Sequence, residues 1–158
     1  MPLQTMQITA HLQRAVGFNR LAMRELVRVA DTVEEIQLAA EEVLIEEGGQ
    51  DPSLFLVVSG EISISRGGKE MERLGSGALV GELSSVDGGP AAEQARAVAP
   101  SVVLRIRREP LMALMVDIPV FTVALSQLLA ARVRSLHSEL GERTDATQSA
   151  TDHQNGQG

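Results

Sequence analysis

Leu54-Phe55-Leu56-Val57-Val58-Ser59-Gly60-Glu61-Ile62-Ser63-Ile64-Ser65 is the stretch on which the fold turns. The apolar run 54–58 is far too short to span a membrane and has the length of a strand. Ser59-Gly60-Glu61 reads as a turn. Beyond it, Ile62 and Ile64 fall on one side and Ser63 and Ser65 on the other, the alternation of a half-buried strand. Arg66-Gly67-Gly68-Lys69 reads as a hairpin turn into a short strand over 71–74. Upstream, Val43-Leu44-Ile45 is a strand closed by Glu47-Gly48-Gly49-Gln50-Asp51-Pro52. Downstream, 94–99 and 102–106 are the last two strands, parted by Ala99-Pro100-Ser101.

Helical patterns flank this strand-rich middle. Leu12, Val16, Leu21, Leu26 and Val29 recur at helical spacing, with a break at Gly17-Phe18-Asn19. Helix returns at Glu109-Pro110, and Pro119 opens a longer one. Its residues Phe121, Leu125, Leu129, Val133, Leu136 and Leu140 form one apolar stripe. The organisation expected is an N-terminal helical segment over 1–32, a β domain over 33–107, C-terminal helices over 108–140 and a disordered polar tail over 141–158. The fold class is mainly β with flanking helices: an eight-stranded antiparallel β-roll, jelly-roll-like, whose closure hides strand edges.

Composition excludes several functions. With 14 Lys and Arg against 21 Asp and Glu, the net charge of −7 argues against a nucleic-acid arm and a polybasic membrane patch. Phe18, Phe55 and Phe121 are the only aromatic residues, too few for a surface that stacks bases. There is no cysteine, and His11, His137 and His153 are too scattered to hold a metal. The segment Met1-Pro2-Leu3-Gln4-Thr5-Met6-Gln7 lacks the basic and apolar regions of a signal peptide, so a cytoplasmic location is expected. No nucleophile, base or metal constellation can be assembled, so a non-catalytic protein is expected.

Four features in order resemble the cyclic nucleotide-binding domain of catabolite-activator-like regulators, kinase regulatory subunits and gated channels. They are Ile45-Glu46-Glu47-Gly48 with Asp51, the strand-Gly-strand pair 54–62, Gly81-Glu82-Leu83-Ser84, and Pro90-Ala91-Ala92. The resemblance covers roughly residues 15–136. It implies that Gly81 opens a phosphate-binding cassette that ends near Ala91 and Ala92. A glycine followed by a short helix lets backbone N–H groups, here those of Leu83 and Ser84, approach an anion. The resemblance further implies that Glu82 accepts from a ribose hydroxyl. No cofactor is required, and the ligand implied is cyclic AMP or cyclic GMP.

One position departs from the pattern. The family closes its cassette with Pro-Arg-Ala-Ala-Thr or near it, the arginine pairing with the cyclic phosphate; ten residues on from Gly81 stands Ala91. No Lys or Arg lies between Arg73 and Arg96, while Glu82, Asp87 and Glu93 do. If a strand ran through this end, Glu93 would share a face with Ala91 and Arg96 would point the other way. Removing the cation from a buried charge pair costs about 3–5 kcal/mol, enough to turn a micromolar site into a millimolar one. Val80 for the usual aromatic and Ser85 for an apolar residue depart in the same direction. Weak or absent cyclic-nucleotide binding is therefore expected.

In DNA-binding members the long helix pairs two protomers and a helix-turn-helix follows. The polar residues after Leu140 cannot read a groove, so no direct nucleic-acid contact and no membrane contact are expected. The 119–140 helix suits a homodimer, with Val133, Leu136 and Leu140 at the seam, or an unidentified protein partner. Two functions remain open: a regulatory, ligand-sensing domain that signals through its flanking helices, or a degenerate one serving as a structural or interaction module.

Overall fold

The computed structural model describes the backbone of residues 2–155 and the side chains of residues 2–142. It divides into two units, 1–125 and 126–158.

The turn expected after Ser59 is present. Gly60 has φ +90, between β3 (Ser53–Ser59) and β4 (Ile62–Arg66). The apolar run in β3 is explained by burial on both faces. Phe55 and Val57 join the core between two sheets, and Leu54 and Leu56 are buried on the opposite face, toward the helices. In β4, Ile62 and Ile64 enter the inter-sheet core as the alternation requires. Ser63 on the outer face is also buried, because Glu70 lies over it and accepts its hydroxyl at 2.8 Å. That bond, followed by the one from Arg73, holds the Glu70 carboxyl below its ordinary range.

The remaining strands are β1 (Glu34–Leu38), β2 (Val43–Ile45), β5 (Lys69–Leu74), β6 (Leu79–Val80), β7 (Gln94–Ala97) and β8 (Ser101–Arg107). They form two antiparallel four-stranded sheets, ordered β1-β8-β3-β6 and β2-β7-β4-β5. The eight-stranded roll is thus two facing sheets, with no hydrogen-bonded closure into a barrel among the described residues. The edge strand β5, Lys-Glu-Met-Glu-Arg-Leu, is blunted by its charges. β7 runs to Ala97, two residues short of the sequence expectation; the Val98 N–H still continues the register with β4 by bonding the Glu61 carbonyl at 3.0 Å, and Pro100 beyond it has no N–H to extend the ladder.

Helices α1 (Thr5–Arg14) and α2 (Met23–Ala30) bracket the expected break. Leu12, Leu21, Leu26 and Val29 are buried as their spacing implies. Val16 is exposed, since α1 ends at Arg14 and the helical phase is lost before it. α4 (Arg108–Asp117) packs on β8 and β3, and α5 (Pro119–Asn155) brings Phe121 against Phe18, ring centroids 4.8 Å apart. The polar tail expected to be disordered over 141–158 lies, from residue 143 on, outside the residues whose side chains are described; the α5 backbone itself runs to Asn155. Among the described residues no single helix is long and apolar enough to cross a membrane.

Candidate functional site

Gly81 links β6 to α3 (Glu82–Asp87) with φ +81. A Cβ here would lie 2.5 Å from the Ser53 carbonyl oxygen, 3.5 Å from Ile45 Cδ1 and 3.7 Å from Phe55 Cδ2. Glycine is therefore demanded by the chain's own packing, quite apart from leaving room for a ligand. The first intrahelical bond of α3 runs from the Ser85 N–H to the Gly81 carbonyl at 3.1 Å. The N–H groups of Leu83 and Ser84 consequently have no acceptor within the helix.

Glu82 is buried at the first turn, whereas Leu83 is exposed. Ser85, where the family prefers an apolar residue, is fully buried and satisfies its hydroxyl on the Glu82 carbonyl at 3.1 Å. The helix stops at Gly88, whose N–H bonds the Ser84 carbonyl at 2.8 Å. Arg108 Nη2 donates to the Val86 carbonyl at 3.2 Å, a cation at the helix C-terminus that ties the cassette to α4.

The closing end departs from the expected strand. The Ser84 hydroxyl donates to the Pro90 carbonyl at 3.2 Å, joining this end to α3. Residues 90–93 lie outside any strand, so Glu93 does not share a ladder face with Ala91. Pro90 supplies no N–H, and the Ala91 backbone is engaged elsewhere. The Gly48 N–H donates to the Ala91 carbonyl at 2.7 Å, and the Ala91 N–H to the Gly49 carbonyl at 3.0 Å. Ala92 is exposed. Arg96 points outward as expected, between the inward Ala95 and Ala97, and pairs with Glu41 at 3.1 Å.

A cation that the sequence reading did not single out lies on the inner side. Arg105 on β8 is in register with Phe55 and has the same parity as Val103 of the inter-sheet core. Its Nε donates to Ser53 Oγ at 3.0 Å, and its Nη2 lies 2.6 Å from both carboxylate oxygens of Asp51. Ser53 is the residue whose carbonyl Gly81 crowds. Beside Asp51 is a groove of about 190 Å³, lined also by Leu44, Ile45, Glu46 and Gly49. Arg107, next on this face, is committed to Glu34 at 2.9 Å, a bond that raises its pKa further. The alternation Val103-Leu104-Arg105-Ile106-Arg107 carried the signal, but only the register with β3 reveals which face is inner.

A family model described as the cyclic nucleotide-binding domain matches residues 35–117, more than half of the 158-residue chain and all of this site. The chain belongs to the cyclic nucleotide-binding domain family. The cyclic AMP receptor protein of Thermus thermophilus is 36% identical over 99 residues, 60% of this chain and 46% of that protein. The catabolite activator protein of the same organism superposes with a TM-score of 0.75 at 30% identity, over 81% of this chain and 62% of that one. The regulatory domain of Toxoplasma gondii PKA with cAMP gives 0.65 at 28% identity, over 70% and 44%. The chain thus spans less than two thirds of the length of each.

At this place the chain has a left-handed glycine, a buried acidic residue and a short helix. Ala91 stands ten residues beyond Gly81.

Proposed function

We propose that the chain is a cytoplasmic, non-catalytic regulatory module that senses a small ligand, cyclic AMP or cyclic GMP, weakly through the Gly81–Ala92 cassette. The observation that carries this reading is the left-handed Gly81 leading into α3, with Glu82 buried at its start. Ligand capture would draw on the Leu83 and Ser84 N–H groups and on Glu82 for a ribose hydroxyl. Movement of α3 would reach α4 through Arg108, whose guanidinium holds the last turn of the cassette helix. Any coupling of this kind is bounded by the ligand's differential affinity for the two states, about 1–3 kcal/mol.

Isothermal titration with cyclic AMP, repeated with cyclic GMP, tests the reading. The expected dissociation constant is about 0.1–1 mM, the range left when a charge partner is removed from a micromolar site. Glu82→Ala is expected to weaken binding about tenfold, the size of one lost hydrogen bond to a charged acceptor. No heat at millimolar nucleotide would sink the sensor reading and leave an interaction module.

The output side is the stripe Val133, Leu136 and Leu140, each about half exposed or more. Their helical spacing suits a second copy of the chain. Sedimentation velocity should show a dimer for the full chain and a monomer for Leu136→Glu; a monomer in both refutes the pairing.

A further inference from the structure

We propose that Arg105 is the anion anchor of this site and that Asp51 occupies it as a displaceable stand-in for a ligand's phosphate. The inference rests on the ligand-sensing reading above and names the group that replaces the missing cassette arginine.

The burial of the ion pairs singles this one out. Among the described residues, the arginines pairing with Asp117, Glu61 and Glu70, Glu41, and Glu34 have side chains 44–60% exposed. The Arg105 side chain is 16% exposed, and its partner Asp51 is 72% exposed. A guanidinium withdrawn from water that far requires an anionic partner. Here the partner comes from the connection between β2 and β3, and its carboxylate is largely in solvent. Ser53 orients the guanidinium from beneath through Nε.

The chemistry of that contact is transferable. A guanidinium donates to carboxylate and phosphate oxygens alike, here from one nitrogen, Nη2, to both oxygens of Asp51. Two Asp51 oxygens at equal distance from Nη2 mimic two oxygens of a phosphodiester. The position is right as well. Ser53 Oγ binds Arg105 while the Ser53 carbonyl abuts Gly81, so the anchor lies one residue's breadth from the cassette glycine. Ile45 touches the same glycine position and lines the groove beside Asp51.

The groove explains why the carboxylate must leave. Its volume of about 190 Å³ is below the ~300–1,000 Å³ of ordinary ligand pockets. Because Asp51 both lines the groove and pairs with Arg105, its withdrawal would enlarge the groove and free the guanidinium for another anion. The ligand class is a small phosphate-bearing anion, and Glu46 on the groove wall disfavours any that carries several charges.

The test compares the wild-type chain with Asp51→Asn, which keeps shape and removes the competing charge, and with Arg105→Gln and Arg105→Lys. Inorganic phosphate, cyclic AMP and neutral adenosine are titrated into each, followed by calorimetry and by the ¹⁵N resonance of Arg105 Nε. Asp51→Asn should bind phosphate and cyclic AMP about tenfold more tightly, with adenosine unchanged, and the Nε resonance should move on saturation. Arg105→Gln should abolish that gain; if it does not fold, Arg105→Lys should reduce it. A wild-type chain that binds cyclic AMP with no gain in Asp51→Asn overturns this inference and leaves the sensor reading standing. Phosphate shifting Nε in Asp51→Asn with no cyclic AMP binding supports the anchor and removes the cyclic-nucleotide reading. An Nε resonance unmoved by either anion in every folded variant overturns the anchor outright.

Discussion

Gly60→Ala is expected to destabilise the chain by about 3–5 kcal/mol, a large part of the ~5–15 kcal/mol that holds a domain of this size. The residue has φ +90, a conformation that costs a side-chain-bearing residue about 1–3 kcal/mol. Space is the second obstacle. An alanine Cβ would lie 2.1 Å from Ser101 Oγ and 2.6 Å from both Cα and Cβ of Ser101. A rotamer change moves the hydroxyl but not the Cα, so the start of β8 must shift. That shift breaks a small polar knot: the Glu61 N–H donates to Ser101 Oγ at 3.1 Å, and Ser101 Oγ donates to the Ala99 carbonyl at 2.8 Å. Ser101 is buried, so these groups lose partners without gaining water. Gly67→Ala is the matched control. Gly67 also has positive φ, at +57, but nothing lies within 4 Å of its Cβ position, so only about 1 kcal/mol of strain is expected. Urea unfolding of the two variants and wild type reads the difference directly. Equal midpoints for Gly60→Ala and Gly67→Ala would mean that Ser101 does not lock the turn.

That turn was legible in the sequence because its causes are local. A glycine between a continuous apolar run and an alternating one needs no knowledge of what packs against it, and the strands on either side lie where the alternation placed them. The turn from Gly81 into α3 was legible for a related reason: a glycine followed at once by an acidic residue is a local helix-start signal. That Ala91 stands ten residues beyond that glycine needs only counting. The rest depended on pairing partners far away in the chain. Gly81 is fixed by the Ser53 carbonyl, and the path of Ala91 by Gly48 and Gly49. Arg105 shows the limit most clearly. Its neighbours Leu104 and Ile106 are buried toward the helices, so in sequence it looks like the solvent-facing member of an alternating strand. Only the register with Phe55 puts it on the inter-sheet side, where a charge is unexpected and therefore informative.

Ala91→Arg is expected to tighten cyclic AMP binding by two to three orders of magnitude, from the millimolar toward the micromolar range. The figure follows from about 3–5 kcal/mol for a desolvated charge pair at about 1.4 kcal/mol per tenfold. The backbone at this position tolerates the change. Its N–H and carbonyl are clamped by Gly49 and Gly48, and the side chain is half-buried, so an arginine extends without displacing the core. The competing outcome is capture of the new guanidinium by a carboxylate, with Asp51 and Glu46 already lining the groove. Melting temperature distinguishes the two: capture stabilises the free protein, whereas a ligand-directed arginine stabilises it only with nucleotide present. The cycle of Ala91→Arg with Asp51→Asn carries the decisive information. If both changes supply cation to one phosphate, the double variant should gain clearly less than the sum of the single gains, because a phosphate already paired with Arg105 has less to offer a second arginine. Strict additivity would place the two guanidiniums at separate sites. An Ala91→Arg chain that folds, melts like wild type and still ignores cyclic AMP would show that the cassette has lost more than its arginine.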